Sequence, residues 1–243
     1  MSEVVVRDLR SALERLKTIE GQYHETDVEV DPHAELSGVY RHIGGGGTIM
    51  RPTKTGPATV FNNIKGYDDA RVVIGMVGCR KRVAHLLDTT PDQLGFKMNE
   101  ALANPLEPVM TTEDAPCQEV VHLASDPDFD IRKLIPAPTN TPDDAGPFIT
   151  MGLLYAEDPE TGEQDVTIHR QCVQGKDEIS IMFVPGRHID AFRMKAENKG
   201  EALPITVNIG LDPAVYIASC FEPPSTPLGY NELGIAGSLR GEG

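Results

Sequence analysis

Apolar residues along this chain fall into short blocks whose spacing switches between helical and alternating. Leu9, Leu13 and Leu16 recur at helical intervals with Arg and Glu on the opposite face, and Gly21 follows as a stop, so a helix is expected over 5–19. Residues 24–30 alternate and read as a strand. Asp31-Pro32 opens a short helix that turns Leu36, Val39, Tyr40 and Ile43 inward. The apolar runs 58–64 and 71–77, separated by Lys65-Gly66-Tyr67-Asp68, predict a pair of strands. Helices are expected over 80–87 and 91–102, the second capped by Thr90 with Pro91 in its first turn.

The stretch 104–116, with three prolines and no periodicity, marks a boundary near residue 115. Beyond it strands dominate: 117–123, 148–156, 165–173, 179–184 and 204–209. Helices are expected over 187–197 and from Asp212-Pro213 onward. The stretch 135–147 is too rich in proline for regular structure, and loops of that length tend to carry function. Successive antiparallel strands with helices inserted late point to a small barrel-like sheet. The run Gly44 to Gly47 lacks the preceding strand and following helix of a phosphate-cradling loop and reads as a flexible connection.

Charge narrows the partners. With 22 Lys and Arg against 37 Asp and Glu, the net charge is −15, which argues against nucleic acid or an anionic membrane surface. The absence of Trp and an aromatic content of 5% argue against a base-stacking platform. Any anion must therefore be held by a few local cations, of which Arg170 and Arg187 are candidates. The four cysteines include no Cys-x-x-Cys pair and read as free thiols of a reducing, cytoplasmic setting. No secretory or membrane-spanning pattern is evident in the sequence. Cys172 and Cys220 are expected to be packed, and Met151 and Met182 to belong to the core.

Candidate chemistry gathers between residues 165 and 188. On a continuous strand Asp165, Thr167 and His169 would share one face and Ile168 and Arg170 the other. His188 follows the next strand, and Glu232 falls in the first turn of a helix. One imidazole and two carboxylates suit Mn²⁺ or Mg²⁺ with a phosphate completing the shell. By spacing alone, a hairpin of ordinary exposed polar residues is the favoured reading.

Six segments carry a resemblance: Lys65-Gly-Tyr, Gly78-Cys-Arg-Lys-Arg-Val-Ala, Asp144-Ala-Gly-Pro-Phe-Ile-Thr, Asp165-Val-Thr-Ile-His-Arg, Gly186-Arg-His-Ile and Glu232-Leu-Gly-Ile-Ala-Gly. In this order they resemble the UbiD family of prenylated-FMN-dependent (de)carboxylases, its N-terminal and cofactor-binding part. The resemblance implies an α+β fold. A mixed α/β region over 1–115 would precede a split β-barrel flavin-binding domain with inserted helices over 116–243, and the family's C-terminal domain would be absent. It implies prenylated FMN, Mn²⁺ (or Mg²⁺) and K⁺ as cofactors.

Metal ligands by resemblance are Asp165 (an Asn in the family's pattern), His188 and Glu232, with K⁺ near Ser219 and Glu232. Thr167, Ile168, His169, Arg170, Arg187 and His188 would line the cofactor, His169 by shape and not as a base. Arg170 would hold the substrate carboxylate and take part in proton transfer. The implied reaction is reversible, non-oxidative decarboxylation of an aromatic or α,β-unsaturated carboxylic acid. A flavin prenyltransferase would supply the cofactor, and a homo-oligomer is expected. The general acid would lie beyond Gly243. The alternative is a cofactor- and metal-binding module without turnover of its own. Barrel-like strand order also admits a flavin reductase, although no dinucleotide fingerprint accompanies it.

Overall fold

The computed structural model describes residues 4–43, 55–111, 115–221 and 226–243. The glycine run and the first part of the proline-rich stretch 222–227 lie outside them. Helix α1 (Leu9–Lys17) starts four residues later than its apolar spacing suggests. Asp8 caps it, accepting from the Ser11 N–H at 2.7 Å while Ser11 Oγ accepts from the Asp8 N–H. Strand β1 (Tyr23–Thr26) is shorter than expected, Val30 makes only an isolated bridge to Ile64, and helix α2 (Glu35–His42) follows. Leu36 and Tyr40 of α2 are buried as expected, whereas Val39 is 41% exposed.

Strand β2 (Ala58–Phe61), buried along its whole length, runs parallel to β1 and antiparallel to β3 (Val72–Ile74), so it forms the centre of the first sheet. Helix α3 (Arg80–Leu86) is capped by the Cys79 sulfur, and α4 (Leu94–Ala103) begins after Gln93, not at Pro91. Residues 117–123 do not form a strand: Pro116–Gln118 is a single 3-10 turn, and Val120, Val121 and Leu123 are exposed.

Beyond the short α5 (Ile131–Leu134) come two further three-stranded sheets. The first orders β4 (Phe148–Ile149), β7 (Gln171–Val173) and β8 (Ile179–Ile181); the second orders β6 (Gln164–Ile168), β5 (Leu153–Glu157) and β9 (Ile205–Asn208). The strands expected over 148–156 and 165–173 are therefore each divided between two sheets. Both break at the same level, near Gly152 and His169-Arg170, where the Gly152 carbonyl accepts from the His169 N–H and from the Gln171 side-chain amide. Gly152 permits this bend because a Cβ there would collide with the fully buried Gln171 amide.

Helix α6 (His188–Asn198) lays Ile189 and Phe192 on Leu154 and Ala156 of β5. Helices α7 (Pro213–Ala218) and α8 (Glu232–Arg240) pack with α3 and α4 around Val83, Leu87, Leu94, Ala214, Ile235 and Leu239. This helical core joins the N-terminal and C-terminal parts of the chain. Cys172 is buried as expected, but Cys220 is exposed, as are Met151 and, at 72%, Met182, since both methionines lie where the sheets bend or end. Among the described residues no helix is long and apolar enough to cross a membrane.

Candidate active site

Three elements deliver three side chains to one small cavity. Strand β6 is an edge strand paired only with β5, and Asp165, 6% exposed, lies opposite Ala156. Gly186 takes a positive φ of 84°, and its N–H donates to Asp190 Oδ2 at 3.3 Å, which turns the chain into α6. His188 is thereby placed at the helix start, its Nδ1 3.1 Å from Asp165 Oδ1. Asn231 caps α8 by accepting from the Leu233 N–H at 3.0 Å, which makes Glu232 the first helical residue. Glu232 Oε2 accepts from the Val166 N–H of edge strand β6 at 3.4 Å.

Glu232 is only 3% exposed. Burial pushes its carboxyl up to about 7, and the neighbouring Asp165 charge adds to the rise against the opposing backbone N–H groups. His169 is held below the ordinary imidazole value by burial, against the pull of Asp165. Its ring stands edge-on to Phe183, centroids 5.2 Å apart, and its buried Nε2 has no hydrogen-bond partner among the described residues.

The cavity encloses about 130 Å³ and is bordered by residues 165–169, Val184, 186–188, Ser219, Phe221 and Glu232. It thus gathers Asp165, Thr167, Ile168, His169, Arg187, His188 and Glu232, with Ser219 beside them. Among the described residues no three His, Cys, Asp or Glu side chains already stand as a formed metal cluster.

Arg170 is not in this group. Ile168 borders the first cavity while its side chain packs with Leu153 and Val166, and Arg170, beyond the end of β6, lines a second cavity of about 780 Å³ with Tyr40, Arg41, Asn140, Asp144 and Gln174. Asp144 is committed to its own loop: its carboxylate accepts from the Thr141 hydroxyl and from the Thr141 and Asn140 N–H groups. Those bonds, with the nearby Arg170 charge, hold it below the usual carboxylate range. Val184, Phe221 and the structuring role of Asp144 carry no distinctive sequence signal; the Asn-x-x-x-Asp spacing from Asn140 to Asp144 signals only a turn.

Two family models match the chain: the 3-octaprenyl-4-hydroxybenzoate carboxy-lyase N-terminal domain over 13–102 and the Rift-related domain of the same enzyme family over 109–243. Gallate decarboxylase of Lactiplantibacillus plantarum is 52% identical over 237 residues, covering 97% of this chain and 48% of that protein. The apo structure of 3,4-dihydroxybenzoic acid decarboxylase from Enterobacter cloacae superposes with a TM-score of 0.90 at 57% identity, covering 98% of this chain and 49% of that one. The UbiD-class enzyme HmfF of Pelotomaculum thermopropionicum, solved in complex with FMN, gives a TM-score of 0.83 at 33% identity, over 96% and 48% of the two chains. The chain spans about half the length of the curated relatives it matches.

Proposed function

Because the chain belongs to the UbiD carboxy-lyase family, we propose that it serves the reversible, non-oxidative decarboxylation of a hydroxylated aromatic acid on prenylated FMN. The observation that carries this reading is the convergence of Asp165, His188 and Glu232 on one cavity. Their burial fits a metal. Among the described residues no cationic side chain forms an ion pair with Glu232, which is buried beside a second carboxylate. Such a group costs several kcal/mol unless a charge compensates it (roughly 3–5 kcal/mol for a buried carboxylate left alone). A divalent cation bound by both carboxylates and His188 Nδ1 or Nε2 supplies that compensation, with oxygen and imidazole donors suited to Mn²⁺ or Mg²⁺. K⁺ is assigned beside Ser219 and Glu232.

Ligand pockets usually span about 300–1,000 Å³. The first cavity, at about 130 Å³, is below that range and suits an ion with a phosphate. Thr167, Ile168 and His169 border it and would line the flavin, while Arg187 at the start of α6 would pair with the phosphate. When bound, prenylated FMN supplies the electron sink for loss of CO₂. Arg170, on the second cavity, would grip the substrate carboxylate through two parallel hydrogen bonds and hold it in a fixed orientation. His169, desolvated and packed edge-on against Phe183, contributes shape and not base catalysis. We assign the flavin-binding part to residues 116–243 as a split barrel built from the two sheets that share the bend at Gly152. A flavin prenyltransferase as cofactor supplier and a homo-oligomeric enzyme belong to the same reading.

The hydroxylated aromatic class is favoured by the names of the gallate and 3,4-dihydroxybenzoic acid decarboxylases that the chain resembles at more than half identity. The test is co-expression with a flavin prenyltransferase, followed by the mass and absorption spectrum of the co-purified small molecule and CO₂ release from gallate, 3,4-dihydroxybenzoate and unsubstituted benzoate. Release from a hydroxylated acid is expected. Cofactor retention with no release from any acid in the panel would overturn the lyase reading and leave a cofactor-binding module.

A further inference from the structure

After α4 the chain continues as an extended strap, residues 105–109, across α8. Its side chains bury little, and among the described residues one backbone bond fastens it, from the Leu106 N–H to the Gly234 carbonyl at 2.9 Å. The approach is close because the helix face beneath it is glycine. A Cβ at Gly234 would lie 3.2 Å from Pro105 Cβ, and one at Gly237 would lie 2.9 Å from both the Leu106 and the Glu242 carbonyl oxygens. On its other side α8 is fixed by Ile235, Ala236 and Leu239 in the helical core. The helix is thus clamped from two sides, and its first residue is the one that reaches Val166 on β6.

We propose that the strap sets the position of α8, and that Gly234 and Gly237 are positioning residues for Glu232; this rests on the reading of Glu232 as a metal ligand. Helix propensity alone predicts the opposite of the strap contact. Inside a helix Gly→Ala reduces the freedom of the unfolded chain and stabilises. Here the added methyl group must push a carbonyl-lined strap away, and the shift passes down α8 to the Glu232 carboxylate.

The experiment compares wild type, Gly237→Ala and Gly234→Ala by thermal melting, by Mn²⁺ affinity of the folded protein, and by amide hydrogen exchange at Val166. Gly237→Ala is expected to lower Tm by roughly 4–8 °C, to weaken Mn²⁺ binding about tenfold, in line with outer-shell substitutions at metal sites, and to speed exchange at Val166. Gly234→Ala, with the looser contact, falls between it and wild type and carries the test if Gly237→Ala does not fold. Leu36→Ala, in a separate core cluster, controls for a general loss of stability and should leave Mn²⁺ affinity unchanged. A raised Tm, or a lowered Tm with wild-type Mn²⁺ affinity and Val166 exchange, overturns the proposal. If wild type itself binds no Mn²⁺, the metal reading fails, and Val166 exchange alone decides the clamp: faster in Gly237→Ala supports it, unchanged overturns it.

Discussion

Arg240→Ala tests how the helix carrying Glu232 is tied to the rest of the molecule. Arg240 lies in the last turn of α8 and forks onto Asp212, with Nε 2.8 Å and Nη2 2.5 Å from the two carboxylate oxygens. Its Nη1 donates to the Leu86 carbonyl at the end of α3, 2.7 Å away, and stands 3.8 Å from Asp88. One side chain thus joins α8, α7 and α3. Both members of the Arg240–Asp212 pair are 12% exposed, so removing the guanidinium leaves a largely buried carboxylate with little beyond its capping bond to the Ala214 N–H. Breaking a buried pair from one side costs about 3–5 kcal/mol. The residual exposure admits some water and places the cost near the lower end, about 3 kcal/mol. For a chain of this size, where 1 kcal/mol shifts Tm by about 2–4 °C, the expected drop is roughly 6–12 °C. Scanning calorimetry measures it directly. Arg240→Lys, which keeps charge but loses the fork, should fall between, and a cycle with Asp212→Ala should return a coupling of about 1–3 kcal/mol. A Tm shift under about 2 °C for Arg240→Ala would show that the Arg240–Asp212 fork does not hold α8 to α7 and α3.

Phe192, fully buried against β5, should cost about 3–5 kcal/mol when cut to Ala, read as a lowered urea midpoint at unchanged slope. Asp158 is buried; burial alone would raise its carboxyl, but Lys195 and the Glu160 and Thr161 N–H groups pull it below its ordinary 3.8. A depressed carboxyl stabilises the fold above its unfolded value and loses that contribution as pH falls through the folded one. Wild-type Tm should therefore drop more steeply below about pH 4 than that of Asp158→Asn, and parallel curves would remove Asp158 from the acid response. Arg170→Ala should retain flavin and metal, by absorption and elemental analysis, while CO₂ release is lost; undiminished release would take Arg170 out of the reaction.

Much of the element order was legible because the apolar spacing is regular in α1, β2, α3, α6 and β9. The start of α1 moved because the Asp8–Ser11 cap took over, whereas α4 begins after Gln93 with no side-chain capping bond. The strand expected over 117–123 failed because alternation is only a pattern of side chains and no neighbouring strand pairs with it among the described residues. The division of 148–156 and 165–173 between two sheets hinges on the contact between Gly152 and Gln171, a tertiary fact that neither residue announces. Alternation along the strand did separate Arg170 from the Asp165 group, but the second cavity that Arg170 lines was not legible in it. The Asp165, His188 and Glu232 group was reachable only through motif order, since three elements distant in sequence supply it.

The most direct measurement is a Mn²⁺ titration, followed by electron paramagnetic resonance, of wild type, His188→Ala and Glu232→Ala, each checked for folding by circular dichroism. One site per chain is expected in the folded wild type, with affinity at least about 100-fold weaker in either variant. Wild-type affinity in both folded variants, or no saturable site in the wild type, would contradict that expectation.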